Sequence, residues 1–364
     1  MKIKEVIAEL NDFAPLSLQE NFDNAGLNIG NPENEITGIL ICVDIIPEVI
    51  QEAINKNCNL IVSHHPLIFN KLKAITGQNY VEKSIILAVK NDISIYCGHT
   101  NFDSQRFGVS YKMAEKLQLK NTKILDPKPE ILRKLSVFVP KEHAETLRQS
   151  LFDAGAGGIG NYDCCSYNTD GFGTFRANDS ANPFVGEIGK IHAETETKIE
   201  VIYPYFMENK IINAMKSVHP YEEVAFDIFK NEVQSDIAGL GIFGELEDFI
   251  SEIDLLNDIK EKFYVQNIRH SKILNKKIKK IAVCGGSGAF LIEKAKRVDC
   301  QAYITADLKY HDYFTAENDI LLIDIGHYES EQFIKEIFFD IISKKSITFA
   351  IFISDINTNP INNY

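Results

Sequence analysis

Two segments far apart in the chain carry side chains that suit one metal site: Ser63-His64-His65-Pro66 and Gly326-His327-Tyr328-Glu329-Ser330-Glu331. A third contributor is Gly98-His99-Thr100-Asn101-Phe102-Asp103. Each directly follows a short apolar run that reads as a buried strand, and in open α/β sheets ligands bind beyond the carboxyl ends of strands. Adjacent histidines inside a strand would point to opposite faces. At a strand end followed by Pro66, both imidazoles can turn toward one centre. Glu331 lies four residues after His327, on the same face if a helix has begun there. Imidazoles from His64, His65 and His327 with carboxylates from Asp103 and Glu331 form a mixed nitrogen and oxygen donor set. Such a set suits zinc, manganese or iron, not calcium or a thiolate-selected metal. Five ligands exceed one tetrahedral ion that keeps a water position. Two divalent ions about 3.5–4 Å apart, with Glu331 or a water bridging, are therefore expected. Taken singly, His-His-Pro is a turn, His327 with Glu331 a helix start, and Asp103 a cap. Their repeated placement at strand ends favours the metal.

Other segments carry weaker signals. Gly285-Gly286-Ser287-Gly288 between a strand and a helix reads equally as an anion cradle or as a tight turn, and lacks the P-loop ending. Asp307, Lys309 and His311 follow another strand and could line the same cleft. Ser287 has no triad context. His219-Pro220-Tyr221-Glu222-Glu223 joins ionisable groups to a turn, and a histidine beside proline is more often structural.

The elements that must position these residues alternate. Strands are expected at 36–43, 60–62 and 93–97, with helices at 47–56, 80–91 and 109–117. The pattern resumes with strands at 280–284, 301–305 and 320–325 and helices at 289–297 and 330–343. This alternation predicts an α/β layer with a mainly parallel sheet. Between these halves, strands at 134–139, 164–167, 171–176, 198–202 and 225–229 and helices at 142–154 and 207–216 suggest a small ferredoxin-like domain. The expected architecture is one discontinuous α/β domain, 1–129 and 236–364, interrupted by an α+β insert at 130–235.

A chain of 364 residues exceeds the usual single core, which agrees with two domains. Its net charge of -13 counts against a nucleic-acid binder, which would normally be basic. No apolar run has the length of a membrane span, and Ile3, Val6, Ile7 and Leu10 are spaced as a helix face, not as a signal peptide. Seven cysteines lack a Cys-x-x-Cys pair, and Cys42, Cys58, Cys97, Cys284 and Cys300 sit in or beside apolar runs as buried free thiols do. A cytoplasmic protein is expected.

With these residues in place, the chain resembles the GTP cyclohydrolase 1 type 2 homologue family, also called Ngg-interacting-factor-three-like proteins. The resemblance rests on Leu18 to Leu27, with its Asp23-Asn24-Ala25-Gly26-Leu27 segment, on Ser63-His64-His65-Pro66-Leu67-Ile68-Phe69, on His99 to Asp103, and on Gly326-His327 through Ser330-Glu331. It implies a dinuclear divalent-metal site at His64, His65, Asp103, His327 and Glu331, with His99 a neighbour in the site; in a hydrolase, His99 or His311 could shuttle protons. It also implies a ring-shaped homohexamer of two trimers. The insert, especially His219 to Asp227, is similar to the CutA/PII-like domain of longer members. The family name implies water attack on the imidazole ring of GTP. Two readings stay open: a metal-dependent hydrolase of a nucleotide or related phosphorylated heterocycle, and a non-catalytic metal- or ligand-binding assembly with a sensing or partner-docking insert.

Overall fold

The computed structural model describes residues 1–344 and 348–363. It forms two compact units, Met1–Pro127 with Asp236–Tyr364, and Lys128–Ser235.

The first unit begins with α1 (Ile3–Phe13), whose Ile3, Val6 and Leu10 are buried at helical spacing. The Glu5 carboxylate caps its start by accepting from the Lys2 backbone N–H at 2.6 Å. Then follow β1 (Gly26–Ile29), β2 (Gly38–Cys42), α2 (Pro47–Asn55), β3 (Leu60–Ser63), α3 (Tyr80–Lys90) and β4 (Ser94–Cys97). Next come α4 (Thr100–Ser104), α5 (Val109–Lys116) and β5 (Lys120–Pro127). Pro47 opens α2, where its missing N–H costs nothing.

The second unit runs β6 (Leu132–Pro140), α6 (Ala144–Asp153), β7 (Ser166–Arg176), β8 (Ile191–Pro204), α7 (Glu208–Val218) and β9 (Phe226–Asn231). The chain then returns to the first unit through β10 (Gly239–Ser251), α8 (Glu252–Phe263), β11 (Arg269–His270), β12 (Lys277–Ser287) and α9 (Ile292–Arg297). It ends with β13 (Ala302–Ala306), β14 (Leu321–Asp324), α10 (His327–Glu331), α11 (Ile334–Ser343) and β15 (Ala350–Ile353).

The first unit holds two sheets where one layer is expected from the alternation: β1-β4-β3-β2-β15 and β11-β14-β13-β12-β10-β5. In the first, only the β1–β4 pair is antiparallel. Its central strands are buried on both faces: Ile39, Ile41, Leu60, Val62 and Tyr96 join one core, while Leu40, Cys42, Ile61, Ile95 and Cys97 join another. That is why they read as unbroken apolar runs and not as alternating ones. In the second sheet, β12, β13 and β14 are parallel, and β5, β10 and β11 are antiparallel additions. The expected helix at 330–343 is two helices, α10 and α11, because the first turn begins at His327.

In the second unit the sheet order is β7-β8-β6-β9, antiparallel throughout. Leu135, Val137, Ile199 and Val201 pack with Leu147 and Leu151 of α6 and with Ile211 and Met215 of α7. The two strands expected at 164–167 and 171–176 are one strand, β7. Its glycines are not a break; a Cβ at Gly173 would run into the Glu196 carboxylate of the paired strand.

Candidate metal centre

Three strand ends of the first unit build the site. Beyond β3, the backbone N–H groups of His64 and His65 both donate to the Val43 carbonyl, at 3.1 and 3.0 Å, which pins the pair in a turn. Beyond β4, Gly98 donates to the Ser63 carbonyl at 2.9 Å, His99 precedes α4, and α4 carries Asp103. Beyond β14, Gly326 turns the chain at φ 94° and α10 presents His327 and Glu331 one turn apart. The ligand atoms fall into three overlapping groups, each within 4.8 Å: His64, His65 and His99; His65, His327 and Glu331; and His64, Asp103 and Glu331.

Every imidazole is oriented through Nδ1. Its neighbour is the Gly98 carbonyl for His64 (2.8 Å), Asp44 for His65 (2.7 Å), Asp23 for His99 (2.7 Å) and Asp307 for His327 (2.7 Å). Carbonyl and carboxylate oxygens accept, so Nδ1 carries the proton and Nε2 is left as the donor atom toward the centre. The Nε2 atoms of His65 and His327 lie 3.3 Å apart, and each is 3.1 Å from Glu331 Oε2. His64 Nε2 is 3.6 Å from both Asp103 Oδ1 and Glu331 Oε2. Despite these short contacts, His64 Nε2, Asp103 Oδ1 and Glu331 Oε2 are buried without an aligned hydrogen bond among the described residues. Lone pairs that converge in a dry space are costly unless a cation or a proton lies between them. The donor set and its orphaned atoms thus fit a divalent metal.

The electrostatics agree. Burial opposes charge on His65, but Asp44 and Glu331 outweigh it and hold its pKa well above the usual value. Burial likewise opposes charge on His327, and Glu331 and Asp307 raise it to about 9. Burial favours a neutral Glu331, yet the surrounding imidazoles keep its pKa well below the carboxylate range. Asp103 is raised, chiefly by burial. Without metal, protons take the place of the cation.

The double glycine of β12 makes room for Glu331, since a Cβ at Gly286 (φ 61°) would collide with its carboxylate. The anion-cradle reading of this segment is corrected: β12 continues through Ser287, and the N–H groups of Gly285 and Gly286 donate to Ser110 (3.3 Å) and Ser330 (2.9 Å). Ser287 instead donates to Asp307 at 3.0 Å, behind His327. Of the weaker candidates, Asp307 meets the cluster, whereas Lys309 and His311 are exposed and outside it. In the second unit, His219 uses both ring nitrogens, on the Phe138 carbonyl and the Tyr221 N–H, as a structural residue does.

Sequence reasoning missed Asp44, the partnership of Asp23 with His99, and the tail that supports Asp44 and α10. Thr358 donates to Asp44 at 2.6 Å, and Asn359 donates to Glu329 of α10 at 2.9 Å. Asp44 follows the end of β2, so the strand-end rule applied to every strand would have flagged it. A cavity of about 740 Å³ lies elsewhere, in the second unit, lined by Phe138, Phe172, Phe175, Phe184, Glu196 and Tyr221 among others. Converging donor atoms, not volume, mark the centre.

The family model described as Duf34/NIF3 (NGG1p interacting factor 3) matches residues 1–360, and the chain belongs to this family. A Bacillus subtilis protein named GTP cyclohydrolase 1 type 2 homolog is 36% identical, over 98% of this chain and 97% of that one. The crystal structure of a Bacillus cereus protein related to NIF3 superposes with a TM-score of 0.89 at 35% identity, covering 100% of this chain and 99% of the other. A Staphylococcus aureus protein structure gives a TM-score of 0.78 at 29% identity, with 100% and 99% covered.

Proposed function

We propose that this member of the Duf34/NIF3 family holds two divalent ions and hydrolyses a nucleotide or related phosphorylated heterocycle. The carrying observation is the convergence of His64, His65 and His327 Nε2 atoms with Asp103 and Glu331 carboxylates, with every imidazole proton turned outward. Two of the ligand groups, His65·His327·Glu331 and His64·Asp103·Glu331, share Glu331 alone, so these residues would hold two ions with Glu331 common to both groups. Divalent ions there supply Lewis acidity and a water nucleophile near neutral pH. Zinc, manganese and iron all suit the donors.

The protein's own groups do the rest. Asp44 and Asp307 hold the protons of His65 and His327 on Nδ1, which fixes both rings. Burial would raise the Asp23 pKa, but His99 and Thr100 bring it down to about 2, so it stays ionised and holds the His99 Nδ1 proton. The His99 ring lies 5.3 Å from those of His64 and His65, placed to pass a proton between substrate and solvent. Protein loaded with metal should release product from GTP or a related nucleotide. Turnover no greater than that of Asp103→Ala would sink the hydrolase reading.

For the second unit, its strand-helix-strand-strand-helix-strand order and its β7-β8-β6-β9 sheet support a ferredoxin-like, CutA/PII-like domain at 130–235. The family resemblance supports a homohexamer of two trimers, which light scattering would reveal as six chain masses per particle. Seven free cysteines fit a cytoplasmic setting. The cavity in the second unit favours a second reading, a metal-binding assembly whose insert senses a small molecule. Tight metal binding without turnover, and a ligand-induced change in the insert, would select it.

A further inference from the structure

Phe22 and Phe69 are 66% and 48% exposed, yet both are held close to the metal cluster. Their ring centroids are 6.4 Å apart, edge to face, and Phe69 stands edge to face on His99 at 6.2 Å. His99 in turn contacts His64 and His65, so a row of rings runs from solvent to the cluster. The two segments are fixed. Asp23, the residue after Phe22, accepts from His99 Nδ1 at 2.7 Å and from the Thr100 N–H at 3.0 Å. Asn24 donates to the carbonyl of Ile68, the residue before Phe69, at 2.6 Å. Exposed aromatic rings anchored this firmly beside a reactive centre have the character of a binding surface. Lys71 and Lys73 follow in the same loop, exposed and without an ion-pair partner among the described residues, in a chain with a net charge of -13.

We propose that Phe22 and Phe69 form the wall on which a planar heterocyclic ring docks beside the metal cluster, with Lys71 and Lys73 meeting the anionic group attached to that ring. The proposal rests on the metal-site reading and adds to it the part of the ligand that the metal cannot recognise. An aromatic face stacks on any planar base and discriminates against a bare phosphate chain. The lysines act on charge alone.

The chain has no tryptophan, so F69W places a single fluorescent reporter on the wall. The metal-loaded F69W protein is titrated with the four ribonucleoside triphosphates and with inorganic triphosphate, and the same ligands are measured calorimetrically on the native, F69A, F22A and K71A/K73A proteins. Saturable quenching by at least one nucleotide and none by inorganic triphosphate is expected. F69A and F22A should each weaken that nucleotide by about tenfold while leaving inorganic triphosphate unchanged. K71A/K73A should weaken both ligands. The proposal is overturned if no nucleotide binds more tightly than inorganic triphosphate, or if both phenylalanine variants bind nucleotide like the native protein. It is also overturned if F69W emission shifts with protein concentration alone, which would make the wall an interface between copies. Metal content of the native protein, measured on the same samples, separates these failures from failure of the metal-site reading.

Discussion

The two halves of the cluster are unlike. His65 and His327 are each backed by a carboxylate, Asp44 and Asp307, and their side chains are 24% and 35% exposed. His64 is backed only by the Gly98 carbonyl, faces the buried Oδ1 of the half-buried Asp103, and is itself fully buried. A carboxylate behind an imidazole raises its basicity as a ligand. The His65·His327·Glu331 half is therefore nitrogen-rich, strongly donating and open. The His64·Asp103·Glu331 half is oxygen-rich and closed. For the proposed two-ion site, the difference predicts that the two halves fill in order, the nitrogen-rich half first, and that the second ion is the more easily stripped.

Glu331→Gln breaks the comparison most severely, since both halves use that carboxylate. Bound metal should fall from two ions per chain to near none, as read by elemental analysis of the dialysed protein. Asp103→Ala should instead remove the closed half alone and leave one tightly held ion; loss of both ions would mean that the halves are not separable. Next in size is Asp44→Asn, which leaves every ligand in place and weakens the nitrogen-rich half by about 10- to 100-fold in a competitive chelator titration.

A pH series sharpens the same contrast. His327 in the metal-free protein titrates at about 9, so near neutral pH metal must displace its proton. The His327 share of this affinity should then rise by about tenfold per pH unit and level off above pH ~9. Stability of the metal-free protein runs the other way. The imidazolium's contribution is complete below its ordinary value of 6.5 and is lost as pH rises through about 9. Thermal melts of metal-free protein should show this fall, and metal-loaded protein should not. A flat affinity between pH 6.5 and 9 would contradict the proton-for-metal exchange. The smallest effect is expected from Thr358→Val, which removes one hydrogen bond behind Asp44 and should cost about 1 kcal/mol of metal affinity.

How much of this was legible depended on burial and on sequence distance. β2, β3, β4, β13 and β14 could be read because both faces are covered, which forces uninterrupted apolar runs. β5 could not, because Lys120, Asn121, Thr122 and Lys123 at the sheet edge face solvent in part. β10 mixes Gly239, Gly241 and Gly244 with Glu245, Glu247 and Asp248, so it offers no continuous apolar run, although it carries much of the second sheet. The convergence of the five candidate ligands was legible because side chains at neighbouring strand ends can meet at one centre. Their supports were harder to read: Asp44 was within reach of the same strand-end rule, but a single Ser287 has no local pattern and Thr358 reaches Asp44 across 314 residues. The close approach of Glu331 to Gly286 is likewise invisible until β12 and α10 are side by side.

Anomalous scattering at the zinc, iron and manganese edges, from crystals grown without added metal, tests the central claim most directly. Two peaks per chain are predicted, one among His65, His327 and Glu331 and one among His64, Asp103 and Glu331, with the higher occupancy in the first. Absence of a peak at these five residues, or a single ion bound away from Glu331, would contradict the account.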